Sequence, residues 1–353
     1  MNRILSKKKV VLGMSGGVDS TASAVILKEK GYDVTGLYFD VLGKNSDSYQ
    51  AAEKAAEILD IPLIYKDKTS DFKTSVISYF YNEYAAGRTP NPCVVCNKAI
   101  KFRVLLDAAD EIGAYHIATG HYAHTETDAA TGEAFIKRPQ NRKKEQSYVL
   151  WRLGQEELSR VLFPLNTFES KDEIREILRS KGFPNSEKKD SQEICFVENN
   201  DYVSFLTEKM GMRAQKGIFT DTQGNRIGEH SGIINYTIGQ RKGFGVTFGK
   251  PVYVTGINAS ENKVVLGSNE ELHKTRVFSV NNSFCGTDRY YGKNLKAKIR
   301  YAAPLSECTI CETESGTIVT EFTVPQRAPA PGQSIVWYDD DRLIGGGFIE
   351  SAE

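Results

Sequence analysis

A chain of 353 residues is long for one core and, at roughly 100–200 residues per domain, implies two or three domains. Its hydrophobic fraction of 40% and charged fraction of 25% are ordinary soluble usage, which argues against disordered, collagenous and membrane classes. Lys and Arg (45) balance Asp and Glu (45), so no global basic field announces a nucleic-acid partner, and any such partner must be held by local patches. Six Cys are too sparse for a disulfide scaffold, and MNRILSKKKVVLG lacks the apolar run of a signal peptide, which together predict a reducing cytoplasm. No stretch reaches the ~18 apolar residues of a membrane helix, so no membrane partner is expected.

In chain order, 9–13 (KVVLG) reads as a buried strand, 20–30 as a helix closed by Gly31, and 33–39 (DVTGLYF) as the next strand. A helix at 48–59, a strand at 62–65, a helix at 71–84 and a strand at 116–118 continue the alternation, which is the pattern of a parallel sheet with crossover helices. From Thr125 a polar stretch predicts an exposed hairpin followed by a basic loop. The run 171–181 is an amphipathic helix beginning near the possible cap Ser170, with Pro184 just beyond it. After about residue 207 short glycine-punctuated strands take over, and 275–353 predicts a small barrel or sandwich. The predicted fold class is therefore α/β, a Rossmann-like domain with a parallel sheet over 1–207. A small, mostly β central domain over 208–272 and a C-terminal β-barrel over 273–353 complete it.

The first strand runs through Gly13, Met14, Ser15, Gly16, Gly17, Val18, Asp19 and Ser20 straight into a helix. A glycine-rich turn in that place lets backbone N–H groups approach an anion, and the helix N-terminus adds partial positive charge. The lysine of GxxxxGK[ST] is missing, so this is not a Walker loop, and GxGxxG is not matched either. The plain alternative is a Gly/Ser turn with Ser20 as an N-cap. SGGVDS after an apolar strand resembles the PP-loop of ATP pyrophosphatases, which cleave ATP between the α- and β-phosphates. That resemblance implies adenylation, with Ser15, Gly16, Gly17 and Ser20 on the leaving pyrophosphate and Asp19 holding Mg²⁺ or orienting the loop.

Cys93 and Cys96 form a CxxC ahead of a helical run, which places Cys96 in a first turn. The helix dipole together with Lys98 and Lys101 then predicts a depressed thiol pKa and a nucleophile. A lone CxxC is equally compatible with zinc, redox exchange or chance, and spacing alone does not join Cys195 to Cys96. Cys308 and Cys311 fall in a strand, where i and i+3 point to opposite faces, so one shared metal is not expected there; Cys285 reads as structural.

SGGVDS, NPCVVCNKAIKF, ATGHYA, KKEQSYVL, KKDSQEICF, GEHSGIINYTIGQRKG and APGQSIVWY with GGGFIE occur in one order along the chain. In these seven segments the sequence resembles the tRNA-specific 2-thiouridylase (MnmA/TrmU) family of PP-loop enzymes of the adenine nucleotide alpha hydrolase type. The resemblance implies a tRNA-uridine 2-sulfurtransferase that adenylates the C2 oxygen of the wobble uridine with ATP and Mg²⁺ and replaces it with sulfur. It places a persulfide on Cys195 and the partner thiol on Cys96, and it carries a disulfide bond. It puts Phe39 at the adenine pocket, has Gly120 close the nucleotide site, and turns His121 toward the tRNA. Residues matching the family's tRNA contacts are Asn91, Pro92 and Cys93, then Lys144, Glu145 and Gln146, then Arg300 and Tyr301, and Gln333. The sulfur donor would be a cysteine desulfurase, a relay protein or inorganic sulfide. Cys93 departs from the family, whose best-known members carry Asp there; Cys93, Cys96 and Cys195 would suit either a persulfide relay or a [4Fe–4S] cluster with an open iron.

Local basicity is expected at Lys137 and Arg138, at Arg142, Lys143 and Lys144, at Arg241 and Lys242, and along one strand face at Lys296, Lys298 and Arg300. Two rivals stay open at this stage: a PP-loop amidoligase adenylating a small carboxylate, and a non-catalytic RNA-binding or redox-sensing module.

Overall fold

The structure is a computed structural model and describes residues 5–43, 47–188, 194–244, 249, 251–287 and 289–353. The first domain is built on strands β1 (Ser6–Gly13), β2 (Asp33–Asp40), β3 (Leu63–Asp67) and β4 (Ala114–Ala118), a hairpin β5 (His124–Thr127) and β6 (Ala134–Lys137), and a short β7 (Val161–Leu162). Val10, Val11 and Leu12 are wholly buried, as a strand covered by helices on both faces requires. Five strands form a parallel sheet in the order β3-β2-β1-β4-β7. Helix α1 (Val18–Glu29) connects β1 to β2 and α2 (Asp47–Leu59) connects β2 to β3. The chain then leaves β3 and returns on the other side of β1, so the strand order reverses at β1. In an open α/β sheet the crevice outside the strand ends at such a reversal is the ligand site.

The helical run 69–85 includes a π-turn at Lys73–Ile77. Residues 92–112 likewise form one helical run: Pro92–Cys96, a π-turn at Asn97–Lys101, and Phe102–Ile112, with right-handed helical dihedrals at Cys96, Asn97, Lys101 and Phe102. Helix Lys171–Ser180 starts where expected, and the Ser170 hydroxyl accepts the Glu173 N–H at 3.3 Å as its cap.

The central domain carries β8 (Gly217–Thr220), β9 (Arg226–His230), β10 (Tyr253–Asn258) and β11 (Lys263–Gly267) in the order β10-β11-β8-β9, with one parallel pair, β8 and β11. The C-terminal domain carries β12 (His273–Phe284), β13 (Leu295–Lys298), β14 (Ser306–Glu312), β15 (Ile318–Arg327), β16 (Ser334–Asp339) and β17 (Arg342–Ala352). These six pair antiparallel in the order β12-β15-β14-β13-β16-β17, and β12 pairs with β17 to close a barrel. Its core includes Trp337, Ile335, Val277 and Ile310.

One expectation is overturned here. The hairpin after Thr125 is not simply exposed: Ala134, Phe135 and Ile136 are buried, and β6 pairs with β17 through Ile136↔Leu343 and Lys137↔Arg342. A polar sequence hid this because only three apolar residues do the docking, and the edge they meet lies some 200 residues further on. Behind the hairpin, Trp151 Nε1 donates to Ser334 Oγ at 3.0 Å, Tyr148 Oη donates to the Ser334 carbonyl at 2.8 Å, and Ser147 Oγ meets Tyr338 Oη at 2.9 Å. All of these side chains are wholly buried, so the first domain and the barrel share a core rather than touching through a linker.

Candidate functional site

At the reversal point, β1 delivers the Gly13–Ser20 loop and β4 delivers Thr119, Gly120 and His121 to one crevice. Helix α1 begins at Val18 with Gly17 as its N-cap, and no side chain caps it. Ser20 is therefore not the cap: its hydroxyl accepts the Ser15 N–H at 3.2 Å and donates to the Gly17 carbonyl at 3.1 Å, bracing the turn from inside. Gly16 has φ +69°, and a Cβ there would sit 2.3 Å from the Ser48 carbonyl, so only glycine fits. Met14 and Val18 are buried beneath the loop. Gly120 lies against the loop from the side: a Cβ on it would meet the Asp19 carbonyl carbon at 3.0 Å and the Ser20 nitrogen at 3.1 Å. Phe39 is the penultimate residue of β2, at its C-terminal end, half-buried against the core.

Asp19 has two partners from elsewhere in the chain. Tyr122 Oη donates to Oδ1 at 2.9 Å, and Lys171 Nζ donates to Oδ2 at 3.2 Å. On the opposite side of the turn the Gly16 carbonyl accepts Asn185 Nδ2 at 3.3 Å and Lys188 Nζ at 3.4 Å. None of these four was picked out as a site residue from sequence. A lysine opening a helix, the end that favours anions, was the one legible signal.

The cysteine helix begins at Pro92, which makes Cys93 the first-turn thiol and puts Cys96 one turn further in, on the same side. Asn97 is buried and anchors this turn by donating from Nδ2 to the Val149 carbonyl at 2.9 Å. Cys195 is brought to the same place. Phe196 beside it packs against Phe72, Phe80 and Phe205 at 5.1–5.6 Å, while residues 189–193, including the Asp190, Ser191, Gln192 and Glu193 of KKDSQEICF, lie outside the described residues. The three thiols feel one another's charge.

The expected low pKa is contradicted. Burial pushes Cys96 up to about 12, against the pull of Lys101, and Cys195 and Cys93 add to the rise. Burial pushes Cys195 up to about 11 and raises Cys93 as well. Solvent reaches Cys93 and Cys195, but the cleft they open into is walled by protein, and that mass outweighs a helix-end charge. Lys98 does not help, because it is paired with Glu157 at 2.5 Å. All six cysteines are free thiols, so the implied disulfide is not formed here. Cys308 is buried and Cys311 exposed, on opposite faces of β14 as expected, and Cys285 is buried. Among the described residues no group of three or more His, Cys, Asp or Glu is disposed to hold a metal ion.

The residues expected to meet RNA divide into two sets. Tyr301 is 44% exposed, edge-on to Tyr148 at 6.0 Å, and close enough to Cys93 to feel its charge. Asn91 bonds the Tyr148 hydroxyl, and buried Pro92 follows it. His121 is half-buried, its Nδ1 2.8 Å from Thr119 Oγ1, and burial first and Lys101 second keep its imidazole neutral. Others are occupied within the protein. Glu145 is buried and paired with Lys298 at 3.0 Å and Arg138 at 3.6 Å. Gln146 holds Tyr122 twice through backbone and side chain, at 2.9 and 3.0 Å. Arg300 donates to the carbonyls of Ile238 and Ala328 at 2.9 and 2.8 Å, tying the central domain to the barrel. Gln333 Nε2 donates to the carbonyls of Thr89 and Pro90 at 2.9 and 3.2 Å, fixing the chain that enters the cysteine helix. Lys144 is half-buried beside them.

Of the expected basic stripe, Lys296 is half-buried, Lys298 is buried at the end of β13, and Arg300 just beyond it spends one guanidinium nitrogen on two carbonyls. The basic loop is partly neutralised too: Lys137 pairs with Glu126 and Arg142 with Asp341, at 3.0 and 2.6 Å. Arg241, Lys242 and Lys143 remain exposed. No helix among the described residues is long and apolar enough to cross a membrane.

Comparison with known proteins bears on this geometry. Residues 8–199 match the tRNA methyl transferase HUP domain, 203–268 the tRNA methyl transferase PRC-barrel domain, and 278–349 the aminomethyltransferase beta-barrel domain. The chain is 44% identical to tRNA-specific 2-thiouridylase MnmA 1 of Thermoanaerobacter sp. (strain X514), over 97% of this chain and 98% of that protein. It is 45% identical to tRNA-specific 2-thiouridylase MnmA 2 of Clostridium botulinum (strain Langeland), over 98% and 99%. Among solved structures, the NMN synthetase of Francisella tularensis aligns at TM-score 0.35 and 16% identity, over 53% of this chain and 67% of that one.

Proposed function

The chain belongs to the tRNA-specific 2-thiouridylase family, and from this premise we propose how its own residues carry out an ATP-dependent 2-thiolation of the wobble uridine of tRNA. The reading is carried by an anion-cradling loop without a Walker lysine that packs against Gly120, next to His121, together with three neighbouring thiols that share the field of Lys101 with His121.

The C2 oxygen of uridine is a poor leaving group. In the proposed first step it attacks the α-phosphate of ATP, the α–β phosphoanhydride breaks, and pyrophosphate leaves with the electron pair into the Ser15–Ser20 turn. Gly16 and Gly17 present backbone N–H groups there, and the start of α1 adds its partial charge. Phe39 takes the adenine, and Gly120 permits close approach beside Asp19. Asp19 is the loop's one carboxylate and the hard oxygen donor suited to Mg²⁺ arriving with ATP.

In the second step the terminal sulfur of a persulfide on Cys195 attacks C2 and expels AMP. Cys96 Sγ then attacks the Cys195 sulfur as its proton passes to N3 of the departing base, the persulfide S–S bond breaks, and 2-thiouridine leaves. This leaves a Cys96–Cys195 disulfide, which an external thiol reduces before the next round. Asn91, Pro92, Cys93 and Tyr301 receive the base, which must be drawn out of its stack for this chemistry. His121, Lys144, Arg300 and Gln333 border that opening, while Glu145 and Gln146 brace it from behind. Among the described residues the three thiols are not disposed as a metal-holding group, and the steps derived for them are those of the persulfide relay. Sulfane sulfur arrives from a desulfurase or relay-protein persulfide by exchange onto Cys195; inorganic sulfide enters only by attacking the Cys96–Cys195 disulfide, which breaks to leave the persulfide on Cys195 and a thiol on Cys96. The free thiols and the disulfide-reducing step suit the cytoplasm, and domain limits of 1–207, 208–272 and 273–353 follow the parallel sheet, the central sheet and the barrel strands, with β5 and β6 of the first domain added to the barrel's sheet.

Anaerobically purified protein tests this directly. Activity is expected without bound iron, and Cys96→Ala and Cys195→Ala should each abolish thiolation while leaving tRNA-dependent pyrophosphate release. An amidoligase would be indifferent to both substitutions. Activity that tracks iron content would overturn the persulfide route.

A further inference from the structure

A loop that receives pyrophosphate needs compensating positive charge, and Gly13–Ser20 contains no Lys or Arg. Two lysines nevertheless flank it, both from the stretch 171–188: Lys171 on the Asp19 side and Lys188 on the Gly16 side. Lys171 sits there against local preference. It is the first residue of helix Lys171–Ser180, where the dipole favours anions, and the next two residues, Asp172 and Glu173, obey that rule. Its side chain is only 13% exposed, and its ammonium is paired with Asp19.

Resting on the reading above, we propose that Lys171, with Lys188 opposite, supplies the charge that the missing Walker lysine supplies elsewhere. Lys171 is held ready by Asp19 Oδ2, only 3.2 Å away, and engages the β-phosphate as the α–β bond breaks. The negative charge that develops on the leaving oxygen then meets a cation already held in place. Lys188 reaches the same turn at the Gly16 carbonyl and neutralises the far phosphate. Asn185 steers that peptide, bridging the Gly16 carbonyl and Thr21 Oγ1 at 3.3 and 2.8 Å, so the loop's shape and its charge come from one stretch of chain.

The test follows tRNA-dependent release of pyrophosphate from ATP, with inorganic pyrophosphate as a product inhibitor, in Lys171→Ala, Lys171→Arg and Lys188→Ala. Removing one transition-state donor typically costs about 10²–10³-fold in kcat. Lys171→Ala should fall in that range, with pyrophosphate inhibition at least about tenfold weaker, and Lys171→Arg should recover part of both. Lys188→Ala should weaken pyrophosphate inhibition more than it lowers kcat. If Lys171→Ala lowers the melting temperature while kcat and pyrophosphate inhibition stay at wild-type values, Lys171 is a structural counterion and the proposal fails. If the wild-type protein itself releases no pyrophosphate, the functional reading fails instead, which is a separate outcome.

Discussion

The three thiols show how a local rule loses to a tertiary one. Sequence placed Cys96 at a helix start among lysines, whereas the structure puts it a turn inside the helix, in a walled cleft with two other thiols and with Lys98 paired to Glu157. With its pKa pushed up to about 12 by burial, Cys96 is held as the neutral thiol at neutral pH. Lys101 acts on Cys93, Cys96, Cys195 and His121 alike. Alkylation of Cys96 by iodoacetamide, read by peptide mass spectrometry, should thus be slow at pH 7 and still rising above pH 9. Lys101→Met should slow it further. A plateau reached below pH 8 would mean a depressed thiol after all.

At the scale of elements, the β5–β6 hairpin and the segment behind it lock the catalytic domain to the barrel. Burial pushes the Glu145 carboxyl up, but Lys298, Ser147 and Arg138 outweigh it and hold the group below its usual value of 4.5. A carboxyl lowered in the folded state stabilises above its unfolded pKa, and that contribution is lost as pH falls through the folded pKa. The domain junction should therefore loosen below about pH 4.5 and be insensitive to pH between 6 and 8. Lys298→Met strands a buried charge and should cost about 3–5 kcal/mol in urea unfolding at pH 7. That loss should shrink in acid, where Glu145 is protonated. Equal losses at both pH values would assign the effect to packing alone. The strand and helix alternation of the first domain was legible because each element carries its own periodicity. The hairpin's attachment was not, because pairing to β17 depends on an edge that no local pattern reveals.

Over the whole molecule, a neutral chain that handles tRNA must use few exposed cations. Several basic side chains that looked available are committed to carboxylates or carbonyls, which leaves Arg241, Lys242 and Lys143 among the exposed ones. Each single-strand phosphate contact contributes a slope of about −0.7 in log K against log salt. Arg241→Glu with Lys242→Glu should weaken tRNA binding and flatten that slope by about one to two units, without altering the thiol titration. An unchanged slope would place the tRNA elsewhere.

The seven motifs identified the PP-loop and the two cysteine segments in one chain, and the structure joined Cys195 to Cys96, which spacing could not. Tyr122 and Lys171 stayed hidden because they act on Asp19 from 103 and 152 residues away.

The central claim is one activating ATP for each sulfur installed, and the most direct measurement counts both on the same sample. Wild-type protein, tRNA, ATP and a sulfur donor are incubated, the tRNA is digested to nucleosides for mass spectrometry, and AMP and pyrophosphate are quantified. The account predicts 2-thiouridine at the wobble position with AMP and pyrophosphate in equal amounts to it. Release of ADP and phosphate instead, or thiolation that proceeds without ATP, would contradict it.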